Sequence, residues 1–215
     1  MKSGFKSLIA AAFLAVTATP SYAGLIDFED TAVAAGTSGL TTESFVASRG
    51  FLFSSSTFHM HRTHDYAVTG PANGTTFITI DNNSGTATLT MSILGGGSFD
   101  VGQLDIAEHI FSANGDASVV HLVGQLAGGG TITTDLNLDG AHDGPGGIND
   151  FQTFVINFAN VTSIAFTATS GNLDRGFSLD NLNTALVTAV PEPGSLALMG
   201  LGLAGLAALR KRQQT

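Results

Sequence analysis

The chain has 215 residues, 43% of them apolar and only 12% charged, with a formal net charge of -9. Globular proteins carry about a quarter charged residues, and phosphate binding needs clustered Lys and Arg, so this acidic, cation-poor composition excludes nucleic acid as a partner. With no Cys there is no disulfide framework, no thiolate metal site and no thiol nucleophile.

The first element is a targeting segment, residues 1–23. Lys2 and Lys6 precede an apolar run from Leu8 to Val16, and Pro20 and Ser21-Tyr22-Ala23 follow. Basic, apolar and small residues in that order describe a secretory signal peptide. The run is too short to span a bilayer stably. Signal peptidase is expected to cut after Ala23, so the mature chain starts at Gly24.

Residues 24–188 form the expected folded body. They hold 16 Asp and Glu against Arg49, Arg62 and Arg175, with no lysine, for a net charge of -13. Period two dominates. Thr86–Ile93 and Thr131–Leu138 alternate polar with apolar residues, and Phe154, Ile156 and Phe158 fall on one face. Ile164 with Phe166 predicts a further strand over 161–168. The same spacing recurs at Ile26 and Phe28, Phe51 and Phe53, Ile78 and Ile80, Leu104 and Ile106, and Phe177 and Leu179. Thr, Val, Ile and Phe suit a pleated, half-buried surface. Gly, Asn and Pro clusters at 69–74, 81–85, 95–97, 128–130 and 144–147 separate the runs as turns. About ten short strands at this spacing predict an all-β fold, a jelly-roll-type β-sandwich. A signal-peptide helix and a short C-terminal hydrophobic helix are expected to flank it.

The last segment, 189–215, has three parts. Val190-Pro191-Glu192-Pro193-Gly194 is stiff and non-helical, since each Pro biases its predecessor away from the helical region. Leu196–Leu209 carries no charge, and Arg210, Lys211 and Arg212 close it. Fourteen residues make a helix of roughly 21 Å, short of a hydrocarbon core of ~30 Å. Such a segment lodges in a membrane if its flanks snorkel and the basic cluster stays on the cytoplasmic side.

Val190-Pro191-Glu192-Pro193, the apolar stretch and the basic tail together closely resemble the PEP-CTERM sorting signal. The resemblance implies a Gram-negative bacterium with an exosortase, a membrane cysteine transpeptidase that cleaves near Pro-Glu-Pro. It further implies transient residence in the inner membrane, then export to the cell surface or extracellular matrix and an association with extracellular polysaccharide. Glu192 is then a recognition residue for that enzyme. Leu25–Glu29 and Phe177–Leu182 resemble the first and last strands of lectin-like jelly rolls that often precede such signals, and are similar to those of carbohydrate-binding modules. That resemblance implies neighbouring first and last strands with a structural calcium ion held between them.

Three clusters are candidates for chemistry. With Ile26 and Phe28 inward, Asp27 and Glu29 point outward, and alternation from Phe177 and Leu179 points Asp180 outward beside Asn181. These acids are the expected calcium ligands, an ion that takes six to eight oxygens. Asp135–Gly140 matches the start of an EF-hand loop, but its twelfth position is Gly146, and it reads as a strand entering an acidic loop with Asp139, Asp143, Asn149 and Asp150. His59, His61, His64 and Asp65 are a transition-metal candidate, with an exposed loop as the alternative. No catalytic residues stand out, since G-x-S-x-G and H-E-x-x-H are absent. The expected function is a non-catalytic exported protein sorted by an exosortase and binding extracellular polysaccharide. The alternatives are a secreted glycoside-active enzyme, with two paired carboxylates, and a calcium-dependent adhesive module.

Overall fold

Alternating sequences become paired strands throughout the computed structural model, which describes residues 24–37, 42–55, 60–65, 71–80, 88–108, 118–139, 151–169 and 176–187. Both targeting segments lie outside the described residues. Eleven strands are present among them: β1 Gly24–Ile26, β2 Phe45–Ser48, β3 Phe51–Ser55, β4 Met60–Asp65, β5 Ala72–Ile80 and β6 Thr88–Ile93. Then follow β7 Ser98–Glu108, β8 Val119–Leu126, β9 Thr131–Asn137, β10 Gln152–Thr169 and β11 Phe177–Val187. A single 3-10 turn, Glu29–Thr31, follows β1.

Every strand pairing is antiparallel, and β10 belongs to two sheets. Its first part pairs with β7, from Gln152 opposite Ile106 to Val161 opposite Phe99. Its second part lies between β6 and β8, with Phe166 opposite both Leu89 and Leu122. The first sheet therefore runs β2-β3-β6-β10-β8-β9 and the second β10-β7-β11-β5-β4, with β1 also on β11. Within them, β6-β10-β8-β9 faces β5-β11-β7-β10, which is the strand order of a jelly roll. Sequence periodicity predicts two strands where the structure has one 18-residue strand. The corner is made without a loop. Asn157 (φ 50°) and Asn160 (φ 53°) take left-handed backbone at the two register shifts, a conformation that Asn adopts more readily than most residues.

The core lies between the sheets. Phe51 of β3 meets Phe99 of β7 edge to face at 5.2 Å, and Phe166 of β10 meets Phe177 of β11 at 6.4 Å. Phe28 packs on Phe53 at 5.0 Å and is fully buried, although its φ of 55° is strained for an aromatic residue.

The segment after β1 is tied to the β2–β3 hairpin. Arg49 (φ 49°) and Gly50 (φ 83°) form its two-residue turn, and positive φ at both positions is what a type I′ turn requires. Asp30 accepts hydrogen bonds from Ser48 Oγ (2.5 Å) and Arg49 N (2.8 Å), and Asp27 pairs with the Arg49 guanidinium at 3.1 Å. Partial burial works the other way, but these hydrogen bonds and the Arg49 charge hold the Asp30 carboxyl below its ordinary range. Asp30→Ala is expected to cost about 1–2 kcal/mol, read by urea denaturation at pH 7. The loss should shrink as the pH falls through the lowered pKa, since the protonated wild type has already lost the same contacts.

The two ends of the sandwich differ. The tight turns Arg49–Gly50, 94–97 and 127–130 lie at one end, together with the β10 corner, the start of β1 and the end of β11. The far ends of β3, β5, β7, β9 and β10 and the starts of β4, β6, β8 and β11 lie at the other.

Candidate functional site

The first and last strands are neighbours, as the resemblance implies: Gly24 pairs with Thr184 and Ile26 with Leu182. On the same side of β11, β5 takes the earlier rungs, and the last is Leu179 with Ile78. Asn181 (φ 50°) then bulges, so β11 leaves β5 and joins β1. The split is filled from the segment that follows β1. Glu29 accepts the Thr76 N–H, and the Thr76 hydroxyl accepts from Val33 N at 3.3 Å.

Asp180 lies beside this junction, where the structure corrects the sequence reading. It points away from the core, yet it is fully buried. Its Oδ2 contacts Asn73 Nδ2 at 2.7 Å and the Thr75 hydroxyl at 2.9 Å, and its Oδ1 accepts from Asn181 N at 2.8 Å. Asp105 is held alongside by Asn181 Nδ2 (2.9 Å) and Thr153 Oγ1 (2.6 Å). Burial pushes the Asp180 carboxyl up to about 7, against the pull of its hydrogen bonds, and the Asp105 charge adds to the rise. Asp27, Glu29 and Asp180 thus surround one junction but turn to different partners: Arg49, Thr76 N, and the Asn73–Thr75 turn. Each faces hydrogen-bond donors. Among the described residues no three acids or histidines gather around one point.

The other candidates divide similarly. His61 is buried in β4, where an exposed loop was the alternative, and Arg62 beside it pairs with Glu43 at 2.9 Å. Asp135, Leu136 and Asn137 are strand, and Leu136 and Leu138 are buried, so the EF-hand-like stretch is β9 running out of the sheet. His59, Asp143, Asn149 and Asp150 lie outside the described residues, as do Ala23, Val190–Pro193 and Arg210–Arg212.

The arrangement most open to a ligand is the outer face of the first sheet. Cross-strand registers place Ser54, Thr90, Ala165, Val123 and Thr133 in one row, and Leu52, Ser92, Ser163, Gln125 and Thr131 in the next. A third row runs Thr88, Thr167, His121, Asp135. There the Thr88 and Thr167 hydroxyls meet at 3.2 Å, and Asp135 Oδ1 pairs with His121 Nδ1. These rows hold one carboxylate, that of Asp135, and no Lys or Arg. At the edge, Phe45 opposite Ser54 leaves 62% of its surface to solvent. Sequence reasoning missed His121. Its strand, β8, carries Val119 and Val123 on the same face as His121, so no polar–apolar alternation marks it, and the partner acid is a hairpin away.

Residues 189–213 match the PEP-CTERM protein-sorting motif. The chain therefore carries the mark of an exported protein that an exosortase processes. No curated protein matches the chain. Among solved structures it is similar to a carbohydrate-binding module of Clostridium perfringens in complex with GalNAc-β-1,3-galactose, at 12% identity and TM-score 0.38, covering 66% of this chain and 99% of that one. A second is the module TmCBM61 with β-1,4-galactotriose, at 11% identity and TM-score 0.37, covering 62% and 86%. A third is an exo-β-agarase, at 11% identity and TM-score 0.42, covering 75% of this chain and 24% of that one. The jelly roll stands on the strand pairings alone.

Proposed function

We propose that the body is a non-catalytic, polysaccharide-binding domain of the cell surface or extracellular matrix, and that the outer face of the first sheet is its binding face. The observation that carries this reading is the three-row array of hydroxyls with Gln125 and the His121–Asp135 pair, on a protein marked for export. Sugar hydroxyls are matched by side chains that both donate and accept, and the exposed Phe45 ring offers an apolar edge. Charge selects among polymers. A body of net charge -13 repels anionic polysaccharides, so a neutral polymer is favoured over an anionic one.

Affinity electrophoresis in gels containing the host's neutral polysaccharide tests this. The mature domain is expected to be retarded, and Thr133→Arg or His121→Ala to weaken binding about tenfold, or about 1.4 kcal/mol. Anionic polymers should bind more weakly, the more so at low salt. Equal mobility of wild type and both variants in every polymer would overturn the reading.

A further inference from the structure

We propose that the end of the sandwich with the tight turns is the surface that the exosortase contacts, centred on an opening between Ser98, Ala127, Asn160, Thr162 and Val187. This rests on the reading that the motif at 189–213 is cut near Pro191–Pro193. Val187 is the last residue of β11 and pairs with Ser98. Pro191 and Pro193 follow four and six residues later. Extended chain covers at most roughly 3.6 Å per residue, which leaves the motif within roughly 14–22 Å of Val187. Five strands side by side span about 20 Å, so an enzyme that cuts that motif works within about one sheet width of this end.

The surface there is suited to an apolar partner. The turn 94–97, the turn 127–130 and the β10 corner surround an opening of about 440 Å³. Three of its polar groups are used within the fold: Asn160 N donates to Asp100 (2.7 Å), Asn160 O accepts from Ala127 N (2.9 Å), and Thr162 Oγ1 donates to Gln125 O (3.2 Å). Among the described residues Val187 and Ala127 line it and no charged side chain does, and Leu94 on the same turn as Gly97 is half exposed. Gly24, opposite Thr184, opens at this end too. The opposite end therefore points away from the membrane while the chain is still anchored.

The test follows precursor-to-product conversion by pulse-chase, in cells that carry the exosortase. Ala127→Arg and Thr162→Arg replace exposed residues and are expected to slow conversion about tenfold or more, the scale of a misplaced reacting bond. Val155→Arg, at an exposed site opposite Gln103 and five residues along β7 from Ser98, should convert at the wild-type rate. A flexible Gly/Ser insert of about 12 residues after Val187, adding roughly 20 Å of reach, should restore both slow variants. Unchanged melting of the purified bodies excludes misfolding. Wild-type rates for both variants, equal slowing by Val155→Arg, or no rescue by the insert, as a lipid contact would give, overturns the proposal. Normal conversion of a Pro191→Ala/Glu192→Ala double variant instead removes the sorting reading itself.

Discussion

Gly124→Val is expected to destabilise the domain by about 2–3 kcal/mol, although valine suits a strand better than glycine does. Gly124 is a buried β8 residue on the core face, opposite Ile164 on one side and Ile132 on the other. A Cβ there lies 2.9 Å from Ile132 Cγ2, 2.9 Å from Phe158 Cδ2 and 3.0 Å from Val161 Cγ1. The first two are closer than carbon atoms tolerate and the third is tighter than usual, and Phe158 and Val161 belong to the corner where β10 changes sheets. The missing side chain is what lets that corner pack down. Urea denaturation measures the loss. Trimming a neighbour should return part of it, so Gly124→Val/Ile132→Ala should be more stable than the two single losses added together. Simple addition would show that contact with Ile132 is not the cause.

Core-facing alternation was legible residue by residue. Phe51 and Phe53, Ile78 and Ile80, Leu104 and Ile106, and Phe177 and Leu179 are all buried. Alternation fixes which side of a sheet a residue faces but not what lies over that side. Asp180 faces away from the core as the period requires, and is still buried. The neighbouring row, His61, Thr79, Ser178 and Ala107, is buried as well, and Phe77 on this face stacks edge to face with Phe151 at 5.1 Å. The burial follows from what covers this face, Phe151 over Phe77 and the Asn73–Thr75 turn over Asp180, a tertiary property that no local window contains. The same limit hid the His121–Asp135 rung and the Glu29–Thr76 contact, whose partners lie 14 and 47 residues apart. The β10 corner was missed for a different reason. Two asparagines absorb the bend by adopting positive φ, so no cluster of turn residues marks it.

Asp180 should make the domain lose stability as the pH rises from about 4 to about 7. In the unfolded chain an aspartate titrates near 3.9; in the fold, burial raises Asp180 to about 7. Between these values the folded state holds a proton that the unfolded state has released, so raising the pH favours unfolding. The stabilisation is complete below the unfolded value, declines through the window and is gone above the folded one. A displacement of this size corresponds to about 4 kcal/mol. The hydrogen-bond count points the same way. Thr75 Oγ1 has one proton but faces two acceptors, Asn73 Oδ1 at 2.7 Å and Asp180 Oδ2 at 2.9 Å. With Asp180 ionised, only one of those contacts is a hydrogen bond. With Asp180 protonated, its O–H donates to Thr75, Thr75 donates to Asn73, and both are made. Other acids titrate in the same range, so the informative quantity is the difference between wild type and Asp180→Asn, measured by denaturation from pH 4 to 8. That difference should move in favour of the variant by several kcal/mol as the pH rises. Asp105→Asn, which removes the neighbouring charge, should shift the wild-type decline to lower pH. Parallel curves for wild type and Asp180→Asn would mean that the buried carboxyl does not hold its proton, and the Thr75 relay would then be incomplete at every pH.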